Sequence, residues 1–233
     1  MIKKVFNTPA DTAHALIKAI LVWADEDKDR EFTIALSGGN TPALMFDIWA
    51  EQYNDVTPWD RLLFFWVDER CVPPTHSESN YGMTAEHLIS KIKIPATNIF
   101  RIDGEHADNP EQECIRYAGI VKEKVRQKNG FPSFNLVLLG AGDDGHTSSI
   151  FPGQESLLTT SDIYAIGVHP VSGQKRIALT GLPIINAQRV AFLMTGASKA
   201  PVLKAMEERA DAGPAAYVAH NALNEVYVLT AQN

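Results

Sequence analysis

Short, unbroken apolar runs, each cut off by glycine or by charge, punctuate this chain. FTIAL at 32–36 stops at Ser37-Gly38-Gly39-Asn40, and RLLFFWV at 61–67 stops at Asp68-Glu69-Arg70. NLVLL at 135–139 ends at Gly140-Ala141-Gly142, and RVAFLMT at 189–195 ends at Gly196-Ala197-Ser198. Runs without polar alternation are the pattern of strands buried on both faces, as in a parallel sheet. Between them apolar residues recur at helical spacing. Ala13, Leu16, Ile17, Ile20 and Leu21 predict a helix over 9–24, with Thr8 as its N-cap, Pro9 at its first position and Asp11 near its positive end. Further helices are expected over 41–52, 80–92, 110–127, 183–186, 199–208 and 215–222, with Lys128-Asn129-Gly130 ending the one that begins at Pro110. Weaker strands are expected over 2–6, 98–102, 161–167, 176–180 and 225–230, and loops over 25–31, 103–110 and 169–173.

Strands and helices alternate from end to end without a low-complexity linker or an internal repeat. That order predicts one layered α/β domain over residues 1–233, with a mostly parallel sheet, right-handed crossovers and room for a small inserted lobe. The acidic stretch 103–110 is the best internal boundary, and it is short.

Composition narrows the class of function. The 233 residues are 45% apolar, ample for a buried core, and a net charge of −7 weighs against non-specific nucleic-acid binding. Cys71 and Cys114 are too few for a disulfide framework and lack CxxC spacing, and Cys114 falls on an apolar helical stripe. No apolar stretch of about 18 residues is present to span a membrane, and the N-terminal MIKKVFNTPADTAHALIKAI has no continuous apolar core of a signal peptide. A reducing cytoplasm is the expected compartment. The histidines stand as singles without HExxH, and no GxSxG occurs, so neither a metal, a cofactor nor a serine nucleophile is expected.

The chemistry gathers where the apolar runs stop. In an open α/β sheet, ligands bind outside the carboxyl ends of the strands. The Ser37–Asn40 turn presents unpaired N–H groups and the positive end of the next helix, which suits a phosphate and equally a plain tight turn. It matches neither GxGxxG nor a Walker loop. Asp68, Glu69 and Arg70 fall at the same edge, either as site residues or as the solvated start of a loop. His146, set among Asp143-Asp144-Gly145 and three hydroxyl residues, is the natural proton-transfer group, because imidazole serves as base and acid near neutrality. Asp144 is placed to orient or charge-balance it. His14, His76, His87, His106, His169 and His220 lack such surroundings and default to surface or structural roles. The inventory points to acid–base chemistry on a small anion, best a phosphate ester.

LSGGNTP at 36–42, VDER at 67–70, GAGDDGHTSSIFPG at 140–153, RIALT at 176–180 and TGASK at 195–199 occur together in one order. The set resembles the 6-phosphogluconolactonase family over about residues 30–205. SGGxTP belongs to a wider group with the glucosamine-6-phosphate deaminases, and the resemblance implies their three-layer α/β/α fold, like that of the ribose-5-phosphate isomerases. Deaminases typically follow the Gly-His pair with an apolar-aromatic segment and Asn-Glu-Pro, whereas HTSSIFPG at 146–153 is close to the lactonase form. Ser148 stands where that family usually has alanine, and VYVLT at 226–230 replaces its Trp-Phe-Leu-Asp-like ending.

The resemblance implies hydrolysis of 6-phospho-D-glucono-1,5-lactone to 6-phosphogluconate, with His146 and Asp144 catalytic, Asp144 orienting either His146 or a sugar hydroxyl, and no metal or cofactor. It assigns the phosphate to Ser37, Gly38, Gly39 and Asn40 with Arg176 and Lys199, and sets Asp68 and Arg70 beside the substrate. The expected partner is the sugar-phosphate lactone alone, met by a monomer or small homo-oligomer without nucleic acid or membrane. Two other readings use the same cradle: a deaminase or aldose–ketose isomerase, and a non-catalytic sugar-phosphate sensor. The 147–153 segment argues against the first. His146 beside Asp144, and the lack of an appended helix-turn-helix segment, argue against the second.

Overall fold

A computed structural model describes every residue except 106–107 and 232–233. In chain order its elements are β1 (Ile2–Phe6), α1 (Pro9–Asp25), β2 (Phe32–Leu36), α2 (Asn40–Gln52), β3 (Leu62–Trp66), β4 (Asp68–Arg70), α3 (Asn80–His87), α4 (Pro110–Lys124), β5 (Gln127–Lys128), β6 (Phe131–Pro132), β7 (Leu136–Leu139), α5 (Ser156–Thr159), β8 (Tyr164–Val168), β9 (Lys175–Leu179), α6 (Gly181–Ile185), β10 (Arg189–Met194), α7 (Ala200–Glu208), α8 (Pro214–Asn221) and β11 (Glu225–Ala231). Helix α1 begins as its residues dictate, with the Thr8 hydroxyl accepting from the Asp11 N–H at 3.1 Å and Pro9 following.

Six strands form one sheet in the order β1-β11-β10-β7-β2-β3, every neighbouring pair parallel. Strands β2, β3 and β7 are buried along their whole length, so helices cover both faces, which explains their unbroken apolar runs. The register places Ile34 beside both Phe64 and Leu136, and Val137 beside Val190. Because the strands run the same way, the turns after β10, β7, β2 and β3 lie side by side at one edge. Chain order reverses between β7 and β2: from β2 the chain moves outward to β3, and from β7 it moves the other way to β10 and β11. A crevice opens at such a switch point. No helix among the described residues is long and apolar enough to cross a membrane.

The polar stretch after β3 is a correction. Asp68–Arg70 is not a loop start but strand β4, paired antiparallel with β9 in a second sheet ordered β4-β9-β8. Val67 joins the two sheets: its N–H donates to the Leu36 carbonyl, and its own carbonyl accepts from the Leu179 N–H at 2.7 Å. No strand forms over 98–102, where a single bridge pairs Ile99 with Phe64. The Tyr117 hydroxyl explains this by accepting from the Trp66 N–H at 3.0 Å and donating to the Phe100 carbonyl at 2.6 Å. It fills the place where those two backbone groups would have met each other.

Two helices end earlier than the apolar spacing implied. Helix α3 stops at His87 and a 3-10 turn over Ile89–Lys91 follows. Helix α4 stops at Lys124, and Lys128-Asn129-Gly130 turns a small hairpin between β5 and β6 instead of capping it. Asn129 and Gly130 both have positive φ, 53° and 82°, the two-residue turn that suits a hairpin's twist. Cys114 belongs to the core, and burial pushes its thiol pKa up to about 12. His106 lies outside the described residues.

Candidate active site

From the end of β7 the chain makes a tight loop closed by its own backbone. The Gly142 N–H donates to the His146 carbonyl at 2.9 Å, and the Gly145 N–H to the Gly142 carbonyl at 2.9 Å. Gly145 sits at φ 83°, a conformation that suits glycine, and its carbonyl accepts the Ala215 N–H at the start of α8. The Thr147 hydroxyl ties the loop back to the Gly140 carbonyl at 2.8 Å. The loop projects His146 into the crevice with its ring against buried Phe151, centroids 4.7 Å apart.

His146 Nδ1 lies 2.6 Å from Asp144 Oδ1, and the same oxygen accepts the His146 backbone N–H at 3.1 Å. Partial burial resists ionisation of Asp144, but the backbone N–H, the charge and the ring of His146 outweigh it and hold the carboxyl below its usual range. A carboxylate only accepts hydrogen bonds, so Nδ1 carries the hydrogen and the neutral ring keeps its lone pair on Nε2. Gly142 makes room for the pair, since a β-carbon there would overlap both the imidazole and the Asp144 carboxylate.

The hydroxyl residues after His146 turn back sharply. Ser148 and Ser149 both adopt positive φ, 49° and 54°, inside a turn from Thr147 to Ile150. Left-handed backbone costs a non-glycine residue about 1–2 kcal/mol, so other contacts must hold these two in place. Ser148 Oγ lies 2.9 Å from the carbonyls of both Val67 and Leu179, where its hydroxyl pins the turn to the junction of the two sheets. The residue that departs from the lactonase pattern thus has a tertiary contact that alanine could not make. Ser149 Oγ donates to Asp68 Oδ2 at 2.6 Å and accepts from Arg176 Nη1 at 3.3 Å.

Arg70 and Arg176 are directly paired in the β4–β9 register, which brings Arg176 from the start of its strand to the same cavity. Burial, then the charge of Arg70, lowers the Arg176 pKa against the nearby carboxylates, and its guanidinium stands over the Phe151 ring. Nε of each arginine is buried without a hydrogen-bond partner among the described residues. Arg70 Nη1 donates to the Glu78 carbonyl. Lys199, on a 3-10 turn after Gly196, pairs with Asp143 at 2.7 Å. Gly39, the N-cap of α2, has φ 109° and no side chain caps the helix, so the first N–H groups of α2 are open to a ligand.

Every residue assigned to the site from sequence except Asp144 lines one cavity of about 470 Å³, a size suited to a small metabolite. Asp144 reaches it through His146. Two contributions differ in kind from those expected. The Ser37 hydroxyl is committed to the Leu138 carbonyl at 2.7 Å, so it offers backbone only. The Asp68 carboxylate, buried, is held by Ser149 and by Asn80 Nδ2 at 3.2 Å. Glu69 turns away from the cavity. Its buried carboxylate accepts from the N–H groups of Arg70, Asn80 and Tyr81 and from the Ser79 hydroxyl, and burial raises its pKa against those hydrogen bonds.

Asn80, Thr41 and Thr195 also line the cavity; Thr41 and Thr195 belong to the LSGGNTP and TGASK motifs but had been given no role, and Asn80 was missed from sequence. Asn80 packs its amide where a side chain on Gly38 would stand, and Thr41 and Thr195 share a hydrogen bond of 2.9 Å. The expected helix over 80–92 put Asn80 at a helix start, where Ser79 proves to be the N-cap, but nothing local placed it beside Gly38. His169, read as surface or structural, packs edge-on against Phe151 at 5.3 Å. Among the described residues no group of three or more His, Cys, Asp or Glu side chains is arranged to hold a metal ion.

The family model described as glucosamine-6-phosphate isomerases/6-phosphogluconolactonase matches residues 7–228. The chain is 42% identical over 170 residues to the 6-phosphogluconolactonase of Treponema pallidum (strain Nichols), covering 73% of this chain and 70% of that one. It is 42% identical over 175 residues to the 6-phosphogluconolactonase of Haemophilus influenzae, covering 75% and 72%. Among solved structures, that of 6-phosphogluconolactonase from Trypanosoma brucei superposes with a TM-score of 0.89 at 26% identity over 99% of this chain and 96% of that one. A monomeric glucosamine-6-phosphate deaminase superposes with a TM-score of 0.82 at 18% identity over 100% and 98%, a likeness of fold alone.

Proposed function

The chain belongs to the glucosamine-6-phosphate isomerase/6-phosphogluconolactonase family, and we propose that residues 1–233, acting as one domain, hydrolyse 6-phospho-D-glucono-1,5-lactone to 6-phosphogluconate. It is a carboxylic ester hydrolase of the oxidative pentose phosphate pathway, working in the cytoplasm. The observation that carries the mechanism is the His146 ring in the cavity wall with Nδ1 anchored on Asp144. His146 Nε2 takes a proton from water as the water oxygen adds to the lactone carbonyl. The imidazolium returns that proton to the ring oxygen as the C1–O bond breaks, and the new carboxyl group ionises to release acid. Asp144 holds the ring in the useful tautomer and balances its transient charge.

The phosphoryl group rests on the backbone of Ser37, Gly38, Gly39 and Asn40 at the α2 N-terminus, with Arg176 and Lys199 as counter-charges. Arg70, beside them, stabilises the oxyanion together with backbone N–H groups of the glycine turns. Asp68 acts through Ser149 and Asn80, which it holds in place. The deaminase fold is common to both activities, so fold does not separate them; the relatives named lactonases favour hydrolysis.

Acid release from freshly generated lactone is expected well above the spontaneous rate, without ammonia release from glucosamine-6-phosphate. A rate equal to the spontaneous one, or ammonia from the amino sugar, would reject the lactonase reading. Gly142→Ala is expected to lower turnover about 10²-fold by displacing the imidazole, since small misplacements of a catalytic group carry losses of that order. Steady-state rates of the folded variant measure it, and an unchanged rate would show that the ring need not sit where it does.

A further inference from the structure

The three cations of the cavity are not equivalent, and the protein groups that hold each one set them apart. Arg70 reaches the Glu78 carbonyl and Arg176 the Ser149 hydroxyl, both uncharged acceptors. Lys199 alone of the three is held by a carboxylate among the described residues, with Nζ 2.7 Å from Asp143 Oδ1. The lysine side chain is 27% exposed and the aspartate 68% exposed, so Asp143 leans onto the cation from the solvent side. Asp143 does not line the cavity, and it sits next to Asp144 in the loop that carries His146.

We propose that Asp143 is an internal competitor for the substrate's phosphoryl group, neutralising Lys199 while the site is empty and releasing it when phosphate arrives. The proposal rests on the reading of Lys199 as a phosphate ligand. An ion pair this exposed is weak, and holding two flexible side chains together offsets much of the attraction. A phosphate dianion that also meets Arg176 and the α2 N–H groups displaces Asp143 easily. A ligand carrying one carboxylate, or no charge, has little advantage over the carboxylate already there. Asp143 thereby discriminates for phosphorylated lactones, and by recapturing Lys199 it favours product departure. If Asp143 instead oriented Lys199 towards phosphate, its loss would weaken binding, so the sign of the change decides.

Calorimetric titration of inorganic phosphate, and then of 6-phosphogluconate, into the wild type, Asp143→Asn, Lys199→Met and the double variant at low ionic strength tests this. Asp143→Asn is expected to bind both anions roughly two- to fivefold more tightly. That gain is expected to vanish in the Lys199→Met background and to shrink near 1 M salt, where charges are screened beyond about 3 Å. Unchanged or weaker binding by Asp143→Asn overturns the proposal, as does a gain that persists without Lys199, which would be a general charge effect. Phosphate binding requires no hydrolysis. A failure here beside normal wild-type lactone hydrolysis rejects the Asp143 competitor alone, whereas a wild type that neither binds phosphate nor hydrolyses lactone rejects the reading beneath it as well.

Discussion

Replacing His146 with asparagine is expected to lower lactone turnover about 10²–10⁴-fold, the scale of a positioned proton transfer. The amide has nearly the reach of the imidazole and can still donate to Asp144, so the loop and the cavity keep their shape. What it cannot do is accept a proton from water and pass it on to the ring oxygen. The loss corresponds to about 3–5 kcal/mol of barrier. No covalent nucleophile is needed, because the lactone already opens in water and general catalysis has only to hasten that path. Product binding is expected to persist, since the phosphate cradle lies on other elements. Initial rates corrected for spontaneous opening, with 6-phosphogluconate affinity measured alongside, give the comparison. Near-normal turnover would remove His146 from the catalytic role.

The second large effect is on stability. Glu69 is 2% exposed, and its carboxylate satisfies the N–H groups of Arg70, Asn80 and Tyr81 at 2.8 Å and the Ser79 hydroxyl at 3.0 Å. Glu69→Ala is expected to reduce unfolding free energy by about 3 kcal/mol or more, since each buried donor left without an acceptor costs about 1–3 kcal/mol. Removing a buried charge offsets part of that loss, but three backbone donors have nowhere else to turn. Against a typical total of about 5–15 kcal/mol the change is large. Arg70 and Asn80 are among the residues the carboxylate holds, so activity per folded molecule is expected to fall too, and less in Glu69→Gln, which keeps one acceptor oxygen. Urea midpoints at constant slope provide the test. A shift worth less than about 1 kcal/mol would mean that β4 and α3 are held together by something else.

Strands β2, β3, β7 and β10 were legible to within about a residue because each is buried on both faces, and such strands must be apolar throughout. Helix α1 was equally plain, since Thr8 and Pro9 act on their immediate neighbours. The Asp68–Arg70 strand was illegible for the opposite reason. Its charges look solvated until β9, more than a hundred residues later, pairs with the strand, and until Ser149 after β7 and Asn80 of α3 meet the Asp68 carboxylate. The end of the strand expected near Phe100 depended on one hydroxyl from α4. Helical spacing ran past Lys124 because apolar periodicity says nothing of where a two-residue turn will fold the chain back.

The residues of the candidate site were therefore named by sequence, because glycines and charges after apolar runs mark the carboxyl edge of a parallel sheet whatever its strand order. Their partners were decided by tertiary structure. Strand order set Gly38 against Asn80, and antiparallel pairing put Arg176 beside Arg70. The contact with Asp144 then left Nε2 as the nitrogen with a free lone pair. Sequence carries the local chemistry of a residue, whereas the partners that tune it arrive from distant parts of the chain.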